Sequence, residues 1–275
     1  MGQVTFWSPQ KGQSGNTTNM IATAALIGME YVTRTLISHT HWADFSLESP
    51  FLKGKGTYID GEYSDVGIDA LERLVRSNHL APNMVRNYTD PILRDRLEIL
   101  RGTTKPTEEM FHSMGDAIVP IFDAAKVFYN LSIIDLVSGT SDNITNSLLQ
   151  SSDAIVISLN QNLTSLETFF KSEQYAGIRE KKHLIVIGQY DRHSKYSVNN
   201  IKRMFKTDAP VFTVPHSTAL MDAMNDKTVV QFFLRNKNIS GNHDNHYFLT
   251  EVRKLAKGIF DAMELDTKIY SEQGA

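Results

Sequence analysis

Residues 5–20 read TFWSPQKGQSGNTTNM. A short apolar strand, 4–7, runs into a loop of Gly, Ser and Lys, and an Ala-rich apolar helix follows over 17–29. A strand–loop–helix unit can bind phosphate when three conditions hold. Backbone N–H groups must converge at the helix N-terminus. Glycines must supply conformations that a side chain forbids. A hydroxyl must be placed to hold magnesium. Gly12, Gly15 and Thr17 meet these conditions, with the helix starting at about Asn16. The pattern G-x-x-x-x-G-K-[ST] nevertheless fails twice, because Gln10 stands at its first glycine and Asn16 at its lysine. An ordinary connection with a Thr N-cap is the alternative reading.

The rest of the chain continues the alternation. Strands are expected at 33–40, 96–102, 131–136, 154–159, 183–189 and 210–215. Helices are expected at 67–78, 106–128 (kinked or split at Pro120), 143–151, 162–174, 197–205, 217–226 and 247–265. Apolar strands alternating with helices imply an α/β fold with a mostly parallel sheet covered on both faces. Ligands of such sheets sit at the carboxyl ends of the strands, here just after Trp7, Thr40, Ile134, Leu159, Ile187 and Val214. Region 51–95, with Gly54, Gly56, Gly61, Pro82 and Pro91, is the least regular and reads as a surface excursion from a single domain spanning 1–275.

Bulk properties narrow the function. The chain has 275 residues, 41% hydrophobic and 21% charged, which suits one large soluble domain or at most two small ones. A net charge of −3 gives no overall basic field to recruit nucleic acid. With no cysteine, disulfides and thiol chemistry are excluded. The N-terminus lacks the basic and apolar regions of a signal peptide, and no apolar run reaches the roughly 18 residues of a spanning helix, so a cytoplasmic protein is expected.

KGQSGNTTN resembles the deviant Walker A loop of the ParA/MinD family, K-G-G-x-G-K-T-T. Lys11, Gly12, Gly15, Thr17 and Thr18 match, while Gln13 and Asn16 depart. Segment 128–162 resembles that family's Walker B block, 183–192 its strand leading to a base-contacting Asn, and 210–233 its segment near the adenine. The order and spacing hold across nearly the whole chain. LEILRGTTKP, followed by a helix and YNLSIID, looks most like the TadZ/CpaE branch, which localises pilus-assembly machines.

The resemblance implies a three-layer α/β/α P-loop NTPase of the SIMIBI class that binds ATP and Mg2+. It implies a homodimer formed through the nucleotide face and read by protein components of a membrane-associated pilus or secretion machine. Membrane recruitment would then come through a partner. Gly12, Gln13, Ser14, Gly15, Asn16, Thr17 and Thr18 would line the phosphates, and Thr17 and Asp135 would serve the metal. Gly139 would sense the γ-phosphate, and Gln189, Pro215 and His216 would meet the base. Lys11 would reach the partner subunit's nucleotide. Where the family places D-x-D after its second strand, this chain has Ser38 and Thr40, and Asp44 is the candidate to orient water. A missing lysine removes a charge-assisted hydrogen bond of roughly 1.5–3 kcal/mol, or about 10- to 150-fold in affinity. A weak ATPase at most is therefore expected. A DNA-binding partition ATPase and a nucleotide-free scaffold remain as alternatives.

Other features have plainer readings. His39/His41 and His243/His246 are spaced like zinc ligands but lack a third partner. The apolar stripe 248, 249, 252, 255, 259, 260 and 263 reads as core-facing, with membrane binding the alternative. IREKKH (178–183) and IKRMFK (201–206) read as solvated, with DNA contact the alternative.

Overall fold

The computed structural model describes residues 1–52, 66–140 and 142–269. In chain order the first half holds β1 (Gly2–Trp7), α1 (Asn16–Glu30), β2 (Thr35–His39), α2 (Ile68–Arg76), a 3-10 helix (Pro82–Tyr88), β3 (Asp90–Leu93), β4 (Leu97–Ile99), α3 (Glu108–His112) and α4 (Gly115–Phe128). The second half holds β5 (Leu131–Asp135), α5 (Asn143–Ser151), β6 (Ala154–Leu159), α6 (Leu163–Phe170), α7 (Glu173–Ile178), β7 (His183–Tyr190), α8 (Val198–Phe205), β8 (Val211–Pro215), α9 (Thr218–Asn225), α10 (Val229–Asn236) and α11 (His246–Met263).

Among the described residues the strands form one sheet in the order β3-β4-β2-β5-β1-β6-β7-β8, parallel throughout except for β3 at the edge. Alternation along each central strand divides the core in two. Val4, Phe6, Ile133, Val156 and Val186 face α1, α10 and α11. Trp7, Ile134, Ile155, Ile157 and Ile185 face α2, α4, α5 and α8. β1, β2, β5 and β6 are buried at every position, which explains their unbroken apolar character. The fold is the expected three-layer α/β/α arrangement.

Three local expectations are corrected. The 106–128 helix breaks at Ser113–Met114 and not at Pro120, which sits inside α4. Ser113 Oγ donates to Met110 O and closes the first helix, while Pro120 lies exposed, where water can serve the carbonyl it leaves without a donor. The 162–174 helix breaks at Ser172, whose hydroxyl accepts from Tyr175 N at 3.1 Å and caps a second helix. Within the 51–95 excursion, β3 carries Pro91 on an antiparallel edge strand, a place where its missing N–H is tolerated. Gly54, Gly56 and Gly61 of that excursion lie outside the described residues.

In α11 the stripe residues Phe248, Leu249, Val252, Leu255, Ile259 and Phe260 are buried in the core, so the core-facing reading holds. No helix among the described residues is long and apolar enough to cross a membrane.

α5 begins with a cap that gives a stability prediction. Asp142 accepts from Thr145 N at 2.9 Å and from Thr145 Oγ1 at 2.9 Å. Burial pushes its carboxyl upward, but these hydrogen bonds outweigh burial and hold its pKa below the ordinary value. A depressed carboxyl stabilises the fold above its unfolded pKa and loses that contribution as pH falls through the folded one. Asp142→Ala should therefore lower stability by about 1 kcal/mol near neutrality in urea unfolding. The gap between variant and wild type should close in acid.

Candidate functional site

The loop after β1 reaches α1 through Gly15, whose φ of 64° lies in the left-handed region that a side chain disfavours. Gly15 is also the N-cap of α1, and no side chain caps that end. The Thr N-cap alternative is thus overturned. The Thr17 hydroxyl does not cap its own helix but donates to Asp135 Oδ2 at 2.6 Å. The first-turn N–H groups of α1 are left without a side-chain cap, and the residues that carry them, Asn16, Thr17 and Thr18, line the cavity.

Asp135 ends β5 and is 0% exposed. Its other oxygen, Oδ1, accepts from Asn16 Nδ2 at 2.7 Å. Asn16 Nδ2 also donates to Phe6 O at 3.2 Å, which fixes the amide orientation and leaves Asn16 Oδ1 buried without a partner. The residue standing where the pattern wants lysine therefore turns inward, onto the carboxylate at the end of the neighbouring strand.

Outside this floor lies a cavity of about 590 Å3, within the range of small-molecule sites. It is lined by Lys11, Gly12, Ser14, Gly15, Asn16, Thr17 and Thr18 on one side. His41, Trp42 and Asp44 from the loop after β2 line another, with Phe111 and His112 of α3 opposite. Asp44 is half-exposed. Burial pushes its carboxyl up, but hydrogen bonds from Ser46 and the nearby His41 and His39 hold it below the usual range.

His41 is the residue that sequence reasoning missed in this role. Its Nε2 lies 3.3 Å from Asp135 Oδ2, within ion-pair reach but without a hydrogen bond's alignment. Its Nδ1 lies 3.8 Å from Asp44 Oδ2. Burial alone would lower its pKa, but the adjacent Asp135, helped by Asp44, raises it against the opposing charge of Lys11. His41 is aimed by its neighbour. His39 Nδ1 accepts from His41 N at 3.1 Å, so His39 Nε2 carries the hydrogen toward Glu48 Oε1, 3.1 Å away. Glu48 Oε1 also accepts from Gly102 N at 2.6 Å. The two histidines thus serve different partners, and no metal-binding group of three or more His, Cys, Asp or Glu occurs among the described residues.

A second, smaller cavity of about 90 Å3 adjoins the first through Gly15 and Thr18 and is lined by Gln189, Pro215 and His216 at the ends of β7 and β8. Gly188 permits this arrangement: a Cβ there would fall 1.9 Å from Ser14 O and 2.7 Å from Asn19 Nδ2. Asn19, also missed, donates to Ser14 O at 3.1 Å and to Ser158 Oγ at 3.3 Å, pinning the loop from inside α1.

Three expected residues line neither cavity. Asp135 is fully buried behind Thr17. Gln13 Oε1 accepts from Asn160 Nδ2 at 3.5 Å instead. Gly139 N donates to Ser8 O at 2.9 Å, so the N–H expected to sense a phosphate is already engaged.

No protein-family model and no curated protein sequence matches this chain. Solved structures do match. A ParA family ATPase from Chlorobium tepidum TLS superposes with a TM-score of 0.69 at 14% identity, over 93% of this chain and 97% of that one. The septum site-determining protein MinD of Pyrococcus horikoshii OT3, complexed with Mg-ADP, gives 0.67 at 15% identity, over 94% and 96%. A plasmid partition protein of Borrelia burgdorferi B31 bound to AMPPNP gives 0.62 at 14% identity, over 94% and 98%. At these identities the likeness establishes the fold, that of the ParA/MinD ATPases.

Proposed function

We propose that this chain is an ATP- and Mg2+-binding, ParA/MinD-like switch that dimerises through its nucleotide face and hydrolyses ATP slowly or not at all. The observation that carries the proposal is the pairing of Thr17, which lines the larger cavity, with Asp135, buried directly behind it, next to a second pocket at the strand ends with room for part of a base. The donor set fits magnesium: a hydroxyl and a carboxylate 2.6 Å apart are both hard oxygen groups. Thr17 would hold the ion and Asp135 its bound water. The metal would neutralise polyphosphate charge, while the free N–H groups of α1 grip the phosphates. Gln189, Pro215 and His216 would meet the purine, and Lys11 would reach a partner's nucleotide. Asp44, anionic in the cavity wall, would orient water. The nucleotide complexes of two fold relatives support this ligand class.

On this reading the dimer surface is the output. LEILRGTTKP and YNLSIID support a TadZ/CpaE-like role, in which the dimer is read by a pilus or secretion machine. One observation favours a nucleotide-free scaffold instead: Asn16 and Thr17 already occupy both Asp135 oxygens. Sedimentation velocity separates the two. Saturating Mg-ATP should shift wild type from monomer to dimer, and Lys11→Ala should bind ATP yet stay monomeric. A mass unchanged at saturating ATP sinks the switch and leaves the scaffold.

A further inference from the structure

The two cavities give a bound nucleotide a direction. They meet at Gly15 and Thr18, with one running under the ends of β7 and β8 and the other toward the ends of β5 and β2. A base in the smaller cavity directs the terminal phosphate to the larger one, which Lys11, Thr17 and His41 line. Asn16 offers this end no donor, since its Nδ2 is shared between Asp135 and Phe6 O, and its spare Oδ1 is an acceptor that would repel phosphate oxygens. Asp135 has both oxygens engaged by Asn16 and Thr17. The His41 ring lines this end, while its Nε2 is shielded from solvent 3.3 Å from Asp135 Oδ2 and has no aligned partner, so a small turn of the ring would free it to serve a ligand oxygen as a donor. A buried donor of this kind is stabilised by a ligand that accepts from it.

We propose that His41 replaces the missing loop lysine: its imidazole Nε2–H, delivered from the β2 side, donates to an oxygen of the terminal phosphate and makes the site prefer a nucleoside triphosphate over a diphosphate. His39, Glu48 and Gly102 act as the brace that aims it. The inference rests on the nucleotide-binding reading above and adds to it the residue that distinguishes the two nucleotides.

The test is a pair of calorimetric titrations, Mg-ATP (as a non-hydrolysable analogue) and Mg-ADP, on wild type, His41→Ala and His41→Gln. Wild type should prefer the triphosphate. His41→Ala should lose about tenfold or more in triphosphate affinity, the size of one charge-assisted hydrogen bond, with diphosphate affinity little changed. His41→Gln keeps an N–H donor and should recover part of the preference. It also carries the test if the alanine variant fails to fold by circular dichroism. Equal losses for both nucleotides, or an unchanged ratio, overturn the role given to His41 while leaving nucleotide binding intact. A wild type that binds neither nucleotide overturns the nucleotide-binding reading itself, and this inference with it.

Discussion

Gly188→Ala should disable the site although Gly188 lines neither cavity. The added methyl would fall 1.9 Å from the backbone oxygen of Ser14, so the clash cannot be relieved by rotating a side chain. Either β7 or the phosphate loop must move. The loop is the weaker party, since Asn19 holds Ser14 O through a single 3.1 Å hydrogen bond, whereas β7 is paired with β6 up to Ile187 and with β8 through Gly188. Overpacking of this kind costs about 1–3 kcal/mol in stability. Nucleotide affinity should fall further, because the converging N–H groups lose their geometry. A thermal melt with circular dichroism, beside a nucleotide titration, checks both. A variant of wild-type stability that binds nucleotide normally would show that the close approach of β7 to the loop does not shape the site.

Asn16→Lys should act in the opposite direction. The position is buried next to Asp135, so an ammonium there gains a carboxylate partner and can turn toward the cavity. It also removes the orphaned Oδ1 acceptor. Restoring one charge-assisted hydrogen bond to phosphate should tighten Mg-ATP binding by about 10- to 150-fold. Unchanged affinity would mean that the missing cation is not what limits this loop. With His41 already present, the combined variant Asn16→Lys, His41→Ala should bind more weakly than Asn16→Lys alone.

The sequence exposed the frame more readily than the site. Central strands buried on both faces must be apolar throughout, and LSIIDL, AIVISL and HLIVIGQ show it directly. β3 was hidden because Pro91 argues against a strand unless the strand is known to lie at an edge. The helix breaks at Ser113 and Ser172 were hidden because serine hydroxyls, local caps without periodic signal, close or restart the turns. At the site, Gly12, Thr17, Gln189 and His216 line the cavities at the strand ends, and Asp135 ends β5 behind Thr17. His41 did not reveal itself. SHTHWAD alternates two histidines that suggest shared metal ligation, yet His39 is buried against Glu48 while His41 enters the cavity. That division depends on Glu48 reaching Gly102, a contact spanning 54 residues of sequence. The inward turn of Asn16 was equally invisible, because its partners, Phe6 and Asp135, come from two different strands.

If the loop after β1 grips a magnesium-bound triphosphate through its main chain, with Thr17 and Asp135 serving the metal, binding must depend on the ion. The deciding experiment is equilibrium binding of a fluorescent ATP analogue, with and without Mg2+, to wild type, Thr17→Ala and Asp135→Ala. Wild type should bind saturably and only with magnesium, and both variants should lose the magnesium dependence. Failure of wild type to bind, or binding indifferent to magnesium and to both substitutions, would rule out this mode of grip.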